Sequence, residues 1–338
     1  INALSGQRLW CVGVTKSNCM VFKGGIMRQR SLLQLAIVSL ILIFFVACFS
    51  FAGVNAVPHL NIGAGARSLG MGGAFTAVAD DATSTVWNPA GLSVAEDLTF
   101  TLATERLDFD RKHNFMAAVK KLGAKSALGF SVISFGVDGI EERLTKDDIS
   151  AKSTFDYSMN AFSLSYGQSL GRINLGTSLQ LLTDQFSIDT DKRVNGFGGV
   201  NIGLLGHLYS DTVSYGVVLK NLFGSISESS LPVVLDLGVA FSLLERNVVT
   251  FAVDLEREFV DIEESTTSVC VGVEYLVGNT FSIRGGTKAT SDRMSLYSGF
   301  GVNVAGLQVD YAIKLADNSE HKLNDSGNTH LVSLSYSY

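Results

Sequence analysis

From residue 97 onward, apolar residues alternate with polar or small ones along segments of about ten residues, and clusters of Gly, Asn, Asp and Ser separate the segments. Ile173, Leu175, Thr177, Leu179 and Leu181 alternate with Asn174, Gly176, Ser178 and Gln180; Leu307, Val309, Tyr311, Ile313 and Leu315 alternate with Gln308, Asp310, Ala312 and Lys314. A period of two is that of a β-strand, and no helical stripe competes with it after residue 97. Fourteen such segments begin near Asp97, Lys112, Lys125, Phe155, Arg172, Val194, Thr212, Leu231, Asn247, Thr267, Asn279, Met294, Gly306 and Asn328. Each can supply the roughly 9–11 residues that a strand needs to cross a bilayer. An even number of antiparallel spans predicts an all-β protein, a transmembrane antiparallel barrel of about fourteen strands. Pro232 fits at the first position of its segment, where no ladder donor is lost. A secreted β-sandwich also alternates, but Lys, Glu and Thr would fill its outer face. Here the second face is mostly Gly, Ser, Ala and Asn, with Tyr and Phe near the ends of the apolar face. That pattern predicts lipid outside, a lumen inside and aromatic girdles.

The N-terminal part has another pattern. Leu35–Ala52 is a continuous apolar run preceded by Arg28 and Arg30, and Val54-Asn55-Ala56 places small residues at a processing site. A basic start, an apolar centre and a small-residue exit predict a secretory signal peptide starting at Met27 and cleaved after Ala56, with residues 1–26 an upstream extension. An uncleaved anchor, or lipidation at Cys48, would use the same run. The organisation expected is therefore an extension plus signal over 1–56, an N-terminal segment over 57–96 and the barrel over 97–338.

Composition agrees with an exported barrel. Hydrophobic residues make up 46% of the chain and charged residues only 17%, with 34 Gly and 3 Pro; soluble domains carry about 25% charged residues. Removing residues 1–56 takes five basic residues (Arg8, Lys16, Lys23, Arg28 and Arg30) and no acidic one, so the net charge falls from −6 to −11. An acidic chain is a poor partner for nucleic acid. Cys270 is then the one cysteine left of four, so disulfides contribute nothing to stability.

Between the leader and the first strand lies Gly63–Leu92, which holds a GMGGA element (Gly70, Met71, Gly72, Gly73, Ala74) and, about a dozen residues later, WNPAGL (Trp87, Asn88, Pro89, Ala90, Gly91, Leu92). The pair resembles the N-terminal stretch of the PorV/PorQ group within the superfamily of FadL-like outer-membrane channels. Lys220-Asn221-Leu222, Leu231-Pro232 and Leu237–Ala240 resemble its central element, Gly272–Tyr275, Arg284–Gly286 and Asp310–Ala312 its later strands, and His330–Tyr338 its closing strand, where Tyr338 replaces the usual Phe. The resemblance implies a fourteen-stranded barrel whose N-terminal segment folds inward as a hatch with a short helix. Its five glycines (Gly63, Gly65, Gly70, Gly72, Gly73) suit tight backbone turns. Asp80 or Asp81 is expected to cap a short helix running through Thr85, with Pro89 stopping it. A short periplasmic arm is the alternative.

No nucleophile–base arrangement and no metal-ligand spacing stands out, so no catalytic residue, metal or cofactor is expected. His59, His113, His207, His321 and His330 are scattered, and Gly196–Gly199 opens no helix. Asp147-Asp148 and Glu263-Glu264 fall between segments. Asp254, Glu274, Arg284 and Asp310, with Lys288 and Lys314 nearer strand ends, share parity with Gly, Ser or Ala and are expected to face the lumen, because charge at mid-depth on the lipid face is costly. There they would line a solute path or pair across a filled interior, with Arg67 a partner for Glu274 or Asp310. The function expected is a bacterial outer-membrane channel, not an enzyme, that passes hydrophobic or amphipathic small molecules. The alternative is a type IX secretion component that receives or holds protein cargo. Outer-membrane lipid and the barrel-assembly machinery are the expected partners in either case.

Overall fold

The structure, a computed structural model, describes residues 58–107, 110–142, 153–186, 193–208, 212–226, 229–243, 249–259, 265–278, 280–291, 293–315 and 328–338. The expected leader, its cleavage site after Ala56, and the pairs Asp147-Asp148 and Glu263-Glu264 lie outside them.

Fourteen strands form the wall: β1 (Leu98–Arg106), β2 (Arg111–Gly123), β3 (Ser126–Glu142), β4 (Ser153–Ser169), β5 (Ile173–Phe186), β6 (Arg193–Leu208), β7 (Val213–Leu222), β10 (Val233–Leu243), β11 (Val249–Phe259), β12 (Thr266–Val277), β13 (Phe281–Ala289), β14 (Met294–Val304), β15 (Leu307–Lys314) and β16 (Thr329–Ser337). Two further strands of two residues each, β8 (Ser225–Ile226) and β9 (Ser229–Ser230), form a flap hydrogen-bonded to β6. Each wall strand pairs antiparallel with its neighbours in the chain, and β16 pairs with β1, so the sheet closes and leaves no edge. The first and last wall strands meet at this seam, where Leu98 and Tyr338 exchange backbone hydrogen bonds.

Burial is inverted relative to a soluble sheet. On β5, Leu175, Leu179 and Leu181 are 42%, 51% and 58% exposed, while Asn174, Ser178 and Gln180 are buried. Such an outward face is stable only against hydrocarbon. Phe100, Tyr166, Phe241, Tyr275, Phe281 and Tyr336 are exposed near the short-turn ends of their strands, as a girdle at one interface requires. Strand length departs from the expected ten. β3 and β4 run for 17 residues and β6 for 16, because their pairing continues past the bilayer at the end that carries the longer connections. β10 begins at Val233, one residue after Pro232, whose carbonyl accepts from Asn221 Nδ2 at 3.1 Å.

Residues 58–96 lie against the inner face of the wall. Short helical turns at Pro58–Ile62, Ala66–Gly70, Ser84–Trp87 and Pro89–Ser93 alternate with tight bends. Wall glycines admit this backbone: a Cβ on Gly176 would lie 2.1 Å from the Pro89 carbonyl carbon, one on Gly203 2.2 Å from Asn88 Oδ1, and one on Gly286 2.2 Å from the Met71 carbonyl carbon. Neither Asp80 nor Asp81 caps the turn at Ser84–Trp87, whose N-cap is Thr83 with no side-chain cap bond; Asp81 Oδ1 instead accepts from the Thr83 amide (2.8 Å) and hydroxyl (2.6 Å).

A closed ladder satisfies every backbone group within the wall and resists detergent until heated. Unheated protein is expected to migrate faster on a gel than boiled protein; identical mobility would contradict closure.

Candidate functional site: the lumen and its N-terminal segment

The charged residues expected in the lumen converge on the N-terminal segment. Arg67, on the turn Ala66–Gly70, presents its fork to Glu274 of β12, Nε to Oε1 and Nη2 to Oε2, both at 3.1 Å. Its Nη1 also reaches Asp80 Oδ1 (2.5 Å) and Asp81 Oδ2 (3.1 Å), and its guanidinium lies 5.2 Å over the Phe75 ring. Burial opposes the Arg67 charge, but Asp80, Glu274 and Asp81 outweigh it and hold the guanidinium well above its ordinary value. Of the two partners expected for Arg67, Glu274 is the one it binds. Asp310 instead takes Arg284 Nη1 at 2.7 Å, while Arg284 Nε reaches Glu274 Oε1 at 2.7 Å. Gln308 Nε2 completes Asp310 at 2.8 Å. Glu274 is thus shared between a wall arginine and a segment arginine.

Asp254 holds the next bend. Its Oδ2 accepts the amides of Phe75 (2.8 Å) and Thr76 (2.7 Å). A carboxylate accepting from two adjacent backbone donors makes charge-assisted hydrogen bonds, which fix the bend to β11. Lys288 pairs with Glu256 at 2.8 Å and Lys220 with Asp236 at 2.6 Å; sequence parity had not singled out Lys220, Asp236 or Glu256. Lys220 Nζ also sits 5.6 Å over the Trp87 ring. Lys314 lines a cavity of about 260 Å³ at the loop end, floored by Leu69 and Trp87 and rimmed by Glu105, Lys288 and Tyr297.

The two motifs prove to be backbone-fitting devices. Gly72 (φ +68°) and Gly73 (φ +83°) turn the chain after the helix, and a Cβ on Gly72 would lie 2.5 Å from the Thr287 amide. Gly70 faces Arg284 and Gly299, and buried Met71 lies on Gly272 and Gly286. Trp87 donates Nε1–H to the Ala64 carbonyl at 2.8 Å and meets Phe75 edge-on. Asn88 Nδ2 donates to the carbonyls of Thr76 (2.8 Å) and Leu204 (3.1 Å), while its Oδ1 accepts from Ala90 N and so starts the turn at Pro89. Gly91 passes so close to Ala79 that a Cβ would lie 2.2 Å from its carbonyl oxygen.

One side of the lumen escaped the parity reading. Phe115, Ile133, Met159 and Leu182 project inward from β2 to β5 and form one buried cluster with Ile226 and Leu231 of the flap region and Leu92 of the segment. The lumen therefore carries an apolar patch on β2–β5, beside inward polar side chains such as Ser163, Ser178 and Gln180, and is charged along β10–β15. Among the described residues no group of three or more His, Cys, Asp or Glu could hold a metal ion.

A membrane-spanning fourteen-stranded barrel, with residues 58–96 against its inner face, is the class of protein that this fold defines. Among the solved structures similar to it in fold are two toluene transporters and a FadL homologue. The chain covers 82% of its length on the Pseudomonas putida toluene transporter TodX (99% of that chain, TM-score 0.63, 14% identity) and 81% on the Ralstonia pickettii toluene transporter TbuX (97% of that chain, TM-score 0.60, 13% identity). A Pseudomonas aeruginosa FadL homologue matches over 85% of this chain and 99% of that one, with TM-score 0.54 and 12% identity. The chain shares the FadL-like barrel fold. No protein-family model matches it, and no curated protein matches it in sequence.

Proposed function

We propose that the chain is a bacterial outer-membrane channel that passes hydrophobic or amphipathic small molecules, with residues 58–96 as its plug. The observation that carries this reading is the divided lumen: an apolar patch on β2–β5 runs beside a plug that an ionic contact fastens to the opposite side. An apolar solute gains free energy from such a wall, roughly in proportion to the apolar area it buries there. The neighbours described as toluene transporters share the fold, and the motifs in Gly63–Leu92 support a PorV/PorQ-type member of that superfamily. Export by a leader ending at Ala56 and insertion by the barrel-assembly machinery belong to the same proposal. A type IX cargo role is supported by the motif resemblance, whereas the apolar wall favours small molecules.

The test is uptake of labelled toluene by cells carrying the full chain in an outer membrane poor in other channels. Uptake is expected to rise several-fold over cells without the barrel. The double change Ile133→Asp and Met159→Asp, which puts charge on the apolar side, should return it to background while the protein still shifts mobility on heating. Uptake at background in the parent, or undiminished in the variant, overturns the reading.

A further inference from the structure

The outward face is apolar around most of the barrel, but at the loop end of β16, β1, β2 and β3 it changes in three steps. Arg106 stands between His330 and Lys112 in the ladder, so three basic side chains lie side by side. Arg106 and His330 are exposed; Lys112 is 41% exposed and pairs with Asp138. Tyr311 Oη lies 2.6 Å from His330 Nδ1 and holds that ring in place.

Strand geometry puts the next residues of the same face about 7 Å closer to the bilayer centre. They are Val332, Thr104, Asn114 and Ser134, in register on four strands. Thr104 Oγ1 donates to Asn114 Oδ1 at 2.9 Å. The row beyond is fully apolar: Leu334, Leu102, Met116 and Val132. The middle side chains are short, and the surface is hollowed there into a groove of about 440 Å³ with Ala103 and Phe115 at its floor.

Cations, then hydroxyl and amide groups, then hydrocarbon is the order of groups along a phosphorylated acyl lipid: phosphate, ester or amide linkage, chain. A wall of leucines accepts any acyl chain, but a chain whose head is also held by charge-assisted hydrogen bonds is held at one place. We propose that this face binds a phosphorylated, acylated lipid of the leaflet around the loop end, with its phosphate on Arg106, His330 and Lys112 and one chain in the groove. The inference rests on the membrane residence proposed above and adds a site on the outside of the wall, away from the lumen.

The test uses the full chain in mild detergent with added lipid A, read by native mass spectrometry, on protein that first shows heat-shifted mobility. The parent is expected to retain one lipid per barrel. Arg106→Gln with His330→Gln should weaken retention by roughly tenfold, as the loss of charge-assisted bonds implies. Ser134→Phe fills the groove while leaving the bases in place and should weaken it comparably. Arg257→Gln, an outward arginine on β11 that stacks on Phe259, should change nothing. Dephosphorylated lipid A should bind the parent no better than phosphorylated lipid binds the double variant. Equal retention by parent and double variant, or an equal loss from Arg257→Gln, overturns the proposal. Absence of heat-shifted mobility in the parent would instead count against the barrel in the membrane.

Discussion

Deletion of residues 63–92 is expected to raise the conductance of the reconstituted barrel by roughly an order of magnitude, because eight-stranded barrels are filled by side chains whereas 16–18 strands enclose water, and fourteen lie near the open end of that range. The wall does not need the segment for closure, since every wall strand is paired on both sides by other wall strands. What the deletion exposes is a lumen of small residues and charges. Asp254 loses the amides of Phe75 and Thr76, and Glu274 loses Arg67 but keeps Arg284. Both carboxylates would then be hydrated by the water that replaces the plug. Trp87→Ala is the graded version. The indole lies under Lys220, against Phe75 and over Gly63, where a Cβ would come within 2.5 Å of it. Truncating a buried aromatic of this kind costs about 3–5 kcal/mol, so the segment should loosen and give a smaller rise or intermittent opening. Planar-bilayer recordings separate these outcomes. A deletion variant that retains heat-shifted mobility and conducts like the parent would show that the segment does not occlude the pore.

Much of this was legible in the sequence, and the reasons are specific. The fourteen starts were visible because outward residues are nearly all large and apolar, while inward residues on β11, β12, β13 and β15 are mostly small, polar or charged, so parity alone assigned Asp254, Glu274, Arg284 and Asp310 to the lumen. Arg67 could be matched to a wall carboxylate because a buried guanidinium needs one. The choice of Glu274 over Asp310 was not legible, since it depends on Arg284 standing between them in the ladder. The apolar side of the lumen was hidden for the opposite reason. On β2, Phe115 and Val119 point inward while Met116 and Ala118 point outward, so both faces are apolar and the alternation disappears. The flap was hidden because two-residue strands have no period. Asn221 and Phe223 adopt φ of +61° there, an uncommon conformation for residues other than glycine, which breaks β7 and turns the chain inward. The wall glycines were read as the small residues of a lumen, and only the fold shows that several are small because the backbone of the segment touches them.

Arg284→Met should destabilise the folded barrel by about 3–5 kcal/mol, the usual cost of removing one member of a buried ionic group. The side chains of Arg284, Glu274 and Asp310 are 1%, 4% and 1% exposed, so the two carboxylates could not turn to water. Asp310 would keep Gln308 alone, and Glu274 would keep Arg67 alone. The cost comes from the stranded charges rather than from any large net gain in forming the group. Replacing all three together (Arg284→Met, Glu274→Leu and Asp310→Leu) should therefore recover most of the stability, since apolar groups of similar size satisfy such a site. It should not restore the plug. With Glu274 gone, Arg67 retains only Asp80 and Asp81, both within its own segment, and the tie between segment and wall at β12 is lost. The two readouts then part company: the midpoint of urea unfolding in vesicles returns toward the parent value while conductance stays raised. An Arg284→Met midpoint equal to the parent would show that the charges are solvated in the lumen. A triple variant as quiet as the parent would show that the glycine-lined fit alone holds the segment in place.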